Sequence, residues 1–383
     1  PYTTLFRSQK VPPMLEQVTH VVAARPNFPK VAPIMRELAK AGVSQRLVHT
    51  GQHYDVNLSK VFFEQLDIPH PDSHLGIGSG SQAQQTSNAM MALENEFESA
   101  PTEAVIIYGD TNSALAAALV AAKLGIKVIH VEAGLRSYDR EMPEEVNRVM
   151  IDHISDLHLV TCQDAHDNLV AEGIGEASIH FVGNPMIDTL FRSLKYTESA
   201  NMAGIPGLPK HYIAATLHRP SNVDDATHAR SLVKAIHQVA DQYEVIFPLH
   251  PRGRKVLLNA GLDAHANIRV VESLAYLEFV ALMRHADAVI TDSGGIQEET
   301  SALGIPCFTV RHNTERPVTI AQGTNRLVEV EDLASELASS RLGVVRPTPE
   351  IEMWDGHAGE RIAEVVRGFL GHTSFVPRII ASR

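Results

Sequence analysis

The stretch whose reading decides the fold is ADAVITDSGGIQEE, residues 286–299. A short apolar run breaks at a polar turn, two glycines follow, and a helical pattern begins at once. Strand, glycine turn and helix in that order build an anion site. Gly294 and Gly295 keep Cβ atoms out of a ligand's way, and the new helix offers free N–H groups at the positive end of its dipole. Ser293 adds a hydroxyl. Glu299, about one helical turn further on, repels phosphate but accepts hydrogen bonds from a vicinal diol such as ribose, so the pair reads as a nucleotide site. The same letters also describe an ordinary turn with Asp or Ser as helix N-cap.

Working outward, the same alternation recurs on both sides. HYIAATLHR (211–219), a helical pattern near 225–240, YEVIFPLHP (243–251), NIRVVES (267–273), a helix around AYLEFVALMRHA (275–286) and IPCFTV (305–310) surround the glycine turn. The first half repeats the scheme with VTHVVAA (18–24), VAPIMRELAKAG (31–42), LVHT (47–50), AVIIYGD (104–110), ALAAALVAAKLG (114–125) and KVIHVEAG (127–134). Strands alternating with helices predict parallel sheets. The expected fold class is α/β, with two Rossmann-like domains facing each other across a cleft. The expected divisions are an N-terminal domain at 14–185, a C-terminal nucleotide-binding domain at 186–368, and a segment 369–383 returning to the first domain. VGNPMIDTL (182–190) is the expected hinge.

Composition bounds the function. The 383 residues are 44% hydrophobic and 20% charged with a formal net charge of −12, and no apolar run approaches the roughly 18 residues a membrane helix needs. The acidic balance gives no basic field for polyanions, so nucleic acid is not an expected partner and any phosphate needs a local site. Two distant cysteines, Cys162 and Cys307, fit a reducing compartment, and the first residues lack a signal-peptide pattern. The expected location is the cytoplasm, with no membrane partner.

Open α/β sheets bind ligands beyond the carboxyl ends of their strands. Polar groups stand at those ends: Arg25 after the first strand, Asp110 after AVIIY, Glu132 within KVIHVEAG, His218 and Arg219 after YIAATL, His250 after YEVIFPL, and Asp292 with Ser293 after ADAVI. Arg25, His218 and Arg219 supply charge for phosphate oxygens. Asp110, Glu132 and the MPEEVNR acids Glu144 and Glu145 offer proton removal and donation, although Pro143 followed by acids is also how helices begin.

Taken in order, ARPNFPKVAPI, HTGQHYD, YGDTNSALAAALVAAKLGIKVIHVEAGLRS, MPEEVNR, LHRPSN, PLHP, TDSGGIQEE and TERP span about residues 18–370. Together they resemble the non-hydrolysing UDP-N-acetylglucosamine 2-epimerases, a family with the two-domain GT-B fold. The resemblance implies a UDP-sugar substrate, a homodimer and a reaction that needs no cofactor and no metal. UDP leaves across C1 and C2 to give 2-acetamidoglucal and then returns with the C2 proton on the opposite face. It implies catalytic roles for Asp110, Glu132, Glu144 and His218. UDP binding falls to Arg25, His218, Arg219, His250, Tyr276, Ser293, Gly294, Gly295 and Glu299, and further sugar-side roles to Gln52, His53, Arg136 and Arg316.

The resemblance is not complete. Asn27 stands where the first motif usually has Glu, Ser221 where His-Arg-x-Glu-Asn has Glu, and Val318 follows TERP where Glu is usual. Replacement at Asp55 and the arginine-free GIGSGSQAQQ predict loss of activation by a second UDP-sugar. A related subgroup acts on a UDP-diacetamido-glucuronic acid. A hydrolysing epimerase, a GT-B UDP-glycosyltransferase and a nucleotide-sugar-binding module without chemistry are the rival readings.

Overall fold

A computed structural model describes residues 17–51, 62–199, 203–340, 342 and 348–371. Two wholly parallel sheets are present. The first contains β1 (Gln17–Val22), β2 (Ser44–His49), β3 (Ser73–His74), β4 (Ala104–Tyr108), β5 (Lys127–Val131), β6 (Leu157–Val160) and β7 (Ile179–Phe181), in the order β3-β2-β1-β4-β5-β6-β7. The second contains β8 (Ile213–Thr216), β9 (Val245–Pro248), β10 (Ile268–Val271), β11 (Ala288–Thr291), β12 (Cys307–Val310) and β13 (Asn325–Val328), in the order β10-β9-β8-β11-β12-β13. Every pairing is parallel, as the continuous β-branched runs predict for strands buried on both faces. This is the α/β, two-lobed GT-B arrangement expected.

The winding direction matters most for function. Each sheet runs outward one way, returns, and runs outward the other way, so the order reverses between β1 and β4 and again between β8 and β11. Loops leaving the carboxyl ends of two such neighbours diverge and open a crevice. Arg25 follows β1 and Asp110 follows β4; His218 follows β8 and Ser293 follows β11. Four of the strand ends singled out by residue type, those after β1, β4, β8 and β11, therefore lie at the two switch points.

Helices pack where small residues let them. NSALAAALVAAK forms helix Asn112–Lys123, with Thr111 Oγ1 accepting from Ala114 N–H at 3.2 Å, and its buried alanines admit close approach of helix Gln82–Ser99. The chain leaves the first lobe through helix Pro185–Ser193. That helix packs on helix Phe28–Lys40, and Thr189 donates to Pro29 O at 2.6 Å. The return comes before the expected residue 369. Helix Ala358–Phe369 lies against helix Phe28–Lys40, and Ile362, Ala363 and Val366 share a core with Val31 and Ile34. Trp354 donates from Nε1 to Thr161 O at 2.9 Å, so first-lobe packing already holds this segment. Residues 372–383 lie outside the described residues.

Candidate active site

Three loops of the first lobe set its side of the cleft. After β1, the buried Asn27 accepts from the N–H groups of Ala23 and Ala24 and donates to Tyr108 O at 3.0 Å, tying the end of β1 to the end of β4. The departure from Glu at this position thus places a neutral clamp under Arg25. After β4, Gly109 has φ +67°, and a Cβ there would lie 3.1 Å from Glu132 Oε2 and 3.4 Å from Lys30 Nζ. Glu132 itself has φ +73°, a left-handed conformation uncommon for a non-glycine residue and characteristic of functional sites.

Asp110 accepts from Arg148 at 2.7 Å and 3.1 Å. Arg148 also donates to Glu145 at 2.5 Å, and Glu145 accepts from the backbone N–H groups of Ser137 and Tyr138. Burial would raise the Asp110 carboxyl, but Arg148 and then Lys30 outweigh it and hold the group below the usual range. For Glu132 burial is again opposed, by Lys30 Nζ at one oxygen and Arg316 Nη2 at the other, 2.7 Å away, and the net shift is downward. Both acids stand ionised at neutral pH, the state a base requires.

In the second lobe, Asp292 is the organising residue. Its buried carboxylate accepts from the N–H groups of His218 and Arg219 and from Asn222 Nδ2 at 3.0 Å, and lies 3.1 Å from His218 Nδ1. One carboxylate at the end of β11 thus shapes the whole LHRPSN loop after β8. Burial would raise its pKa; the His218 and Asn222 bonds bring it below the ordinary value. His218 packs against His250, with ring centroids 5.3 Å apart and planes tilted by 40°, and Arg219 Nε donates to Asp292 O at 2.9 Å. Helix Gly294–Leu303 starts as the glycine turn predicts.

Arg316 joins the two lobes. It donates to Glu132 and Glu315 and lies 3.0 Å from Glu298. It also fills the space a Cβ on Gly294 would need. Burial pushes Glu298 up to about 7, with Arg316 only partly offsetting it. Glu315, by contrast, is held well below its ordinary value: burial opposes ionisation, but Arg316 and Arg311 outweigh it.

Between the lobes lies a cavity of about 1340 Å³. Its walls bring together Arg25, Glu144, His218, Arg219 and His250, with Arg311 and Ser221. Both acids of MPEEVNR lie in the first turn of helix Pro143–Ile154; Glu144 is solvent-exposed in the cavity wall, and its buried neighbour Glu145 braces the loop. Asp110, Glu132, Ser293, Gly294 and Gly295 are not among the wall residues; Arg148 holds Asp110, Arg316 holds Glu132 and lies against Gly294, and Arg219 bonds the carbonyl of Asp292 just before Ser293.

The other expected site residues are placed as follows. Arg136 is buried, with its guanidinium 2.7 Å from Asp152 and bonded to Glu172. Tyr276 begins helix Tyr276–Arg284, and its hydroxyl donates to Glu299 at 2.9 Å. Glu299 is buried there, and burial raises its carboxyl to about 7. Gln52 and His53 lie outside the described residues. Sequence reasoning missed Lys30, Arg148, Glu298 and Glu315. Each sits inside a motif already singled out, but charged side chains normally mark surface, and residue type gave no sign of their burial.

Comparison with known proteins adds an independent line. Residues 36–367 match the family model described as UDP-N-acetylglucosamine 2-epimerase. The chain is 42% identical over 318 residues to the UDP-N-acetylglucosamine 2-epimerase of Methanocaldococcus jannaschii, covering 80% of this chain and 87% of that one. It is 38% identical over 354 residues to the UDP-2,3-diacetamido-2,3-dideoxy-D-glucuronate 2-epimerase of Pseudomonas aeruginosa, covering 91% and 98%. The crystal structure of the M. jannaschii enzyme in complex with UDP-N-acetylglucosamine and UDP superposes with a TM-score of 0.86 at 39% identity, over 92% of this chain and 99% of that one.

Proposed function

The chain belongs to the UDP-N-acetylglucosamine 2-epimerase family, and from that premise we propose that it interconverts UDP-N-acetylglucosamine and UDP-N-acetylmannosamine by inverting C2 of the sugar. A carboxylate takes the C2 proton and the C1–O bond breaks. UDP leaves with the bonding electrons, and a C1=C2 double bond remains in 2-acetamidoglucal. Return delivers a proton to the other face of C2 and UDP oxygen to C1. Each turnover ends with no net change in protons or electrons.

The observation that carries this reading is the link between Gly294, Arg316 and Glu132. The turn suited to the diphosphate and the acid suited to C2 share one guanidinium, so leaving-group stabilisation and proton transfer sit in a single charge network. In this reading Arg25, His218, Arg219 and His250 line the diphosphate path, with Ser293, Gly294 and Gly295 at its end and Glu299 beside the ribose. Asp110, Glu132 and Glu144 surround C2 and C3. The cytoplasm and a homodimer belong to the same proposal. The free cysteines Cys162 and Cys307 support the first, and the exposed Val146 and Met150, one turn apart on helix Pro143–Ile154, support the second. No helix among the described residues is long and apolar enough to cross a membrane.

A second substrate is favoured by Ser221. It stands in the cavity wall where the motif usually carries Glu, and an uncharged wall there removes a repulsion against a C6 carboxylate. Parallel turnover of UDP-N-acetylglucosamine and the diacetamido-glucuronate decides between the two.

The reaction itself is tested in heavy water without added metal or nicotinamide. Deuterium should appear at C2 of recovered UDP-sugar; turnover without it would exclude the mechanism. Release of free N-acetylmannosamine would instead identify a hydrolysing epimerase.

A further inference from the structure

His130 lies on β5, two residues before Glu132, and its side chain is wholly buried. Its Nε2 is 2.9 Å from Gly109 O, and its Nδ1 is 2.6 Å from Asp152 Oδ1. A carbonyl only accepts, so Nε2 carries a proton. Asp152 Oδ2 accepts from Gly134 N–H at 3.1 Å and lies 2.7 Å from Arg136 Nη1, surroundings that favour the carboxylate. An ionised Asp152 also only accepts, so Nδ1 carries a proton too.

The charges around the ring agree. Burial would raise Asp152, but His130 and Arg136 bring it down. Arg136 is balanced in turn by Glu172 at 2.6 Å. The other imidazole facing the group, His158, bonds through Nε2 to Asp152 O at 2.7 Å, and burial lowers its pKa. On the β4 side, Lys30 and Glu132 neutralise each other beside Gly109.

We propose that His130, hydrogen-bonded through both ring nitrogens, acts as a positioning residue for the three carboxylates of the site. The inference rests on the active-site reading above. Gly109 O belongs to the peptide that leads into Asp110, and Glu132 is on the same strand as His130. Asp152 is on helix Pro143–Ile154, which carries Glu144 in its first turn and presents Arg148 to Asp110. One doubly donating ring therefore ties together the three elements that bear Asp110, Glu132 and Glu144. A neutral ring has one donor and leaves one of these ties unmade.

The deciding measurement uses the wild-type full-length protein with no substrate. Long-range 1H–15N spectra of the histidine rings, with His130 assigned by loss of its signals in His130→Gln, should show both ring nitrogens of His130 donating at the pH of the assay. A single N–H on that ring overturns the proposal, and because the spectra need no activity the result stands whatever the heavy-water experiment gives. In turnover, His130→Gln and Asp152→Asn should each lower kcat by about 10- to 100-fold, the usual effect of removing an orienting partner, while KM and UDP affinity stay within about twofold. A folded His130→Gln protein with unchanged kcat also overturns it, and if that variant fails to fold, assignment through Asp152→Asn lets the wild-type spectra decide.

Discussion

Arg316 of the second lobe donates from Nη2 to Oε1 of Glu132 in the first at 2.7 Å, with 9% and 6% of the two side chains exposed. The same guanidinium faces Glu298 and Glu315. Removing one partner of a buried ion pair leaves the other charge without compensation and costs about 3–5 kcal/mol. Arg316→Ala is expected to lose stability of that order in urea denaturation. Arg316→Lys should recover only part, because a point charge cannot serve three carboxylates through fixed N–H directions. A loss below about 1 kcal/mol, as for an exposed pair, would show that the interlobe network contributes little.

Asp110 shares its carboxylate with Arg148 while 31% of its side chain remains exposed. Such a group is oriented yet reachable. Asp110→Asn keeps the shape and removes the basicity, so turnover should fall by about 10²- to 10⁴-fold, the usual worth of a positioned acid or base. UDP affinity, read by calorimetry, should stay close to that of the wild type. If affinity falls and turnover at saturation does not, Asp110 binds the nucleotide and takes no part in proton transfer.

These two residues also show what was legible in the sequence. Asp110 was found because a parallel strand ends in Gly-Asp-Thr and ligands gather at strand ends; β4 stops at Tyr108, as that reading needs. The glycine turn, both sheets and the strand-end placement of Arg25 and His218 followed from the same pattern, while their position at switch points comes from the strand order. Arg316 was placed on the sugar side, but besides its neighbour Glu315 its partners are Glu132 after β5 and Glu298 in helix Gly294–Leu303, distant in sequence and without a local signature. Arg136 shows the converse. An arginine in HVEAGLRS looks available, yet Asp152 and Glu172, 16 and 36 residues away, enclose it. Lys30 and Arg148 were invisible because burial of a cation depends on its partner, and partners meet only in the fold.

Gly109 and Gly125 make a matched pair for testing the clearance around Glu132. Both have left-handed φ, +67° and +72°, but a Cβ on Gly125 meets nothing within 4 Å while one on Gly109 meets Glu132 and Lys30. Alanine at either position should cost about 1–2 kcal/mol from the backbone alone. Only Gly109→Ala should also depress kcat, because Glu132 and Lys30 must shift. Equal kcat in the two variants would show that the Glu132 carboxylate tolerates displacement.

The ligand-free protein should also become less stable as pH rises through neutrality. Burial lifts Glu298 and Glu299 to about 7, above their ordinary 4.5. A carboxyl whose folded pKa exceeds its unfolded one stabilises the fold fully below the unfolded value, and that contribution is lost as pH climbs through the folded value. The window is therefore about 4.5 to 7, opposite in sense to Asp110, Asp292 and Glu315. Those carboxyls are depressed in the fold, contribute stability above their unfolded values, and lose it in acid. Glu299→Gln keeps an acceptor for the Tyr276 hydroxyl and removes the charge that burial opposes. Relative to wild type, the variant should gain on the order of 1–3 kcal/mol in urea denaturation between about pH 5 and about pH 8. If the difference between variant and wild type is the same at both pH values, Glu299 ionises as readily in the fold as in the unfolded chain. Its buried place beside Tyr276 would then impose no penalty for a ribose diol to relieve.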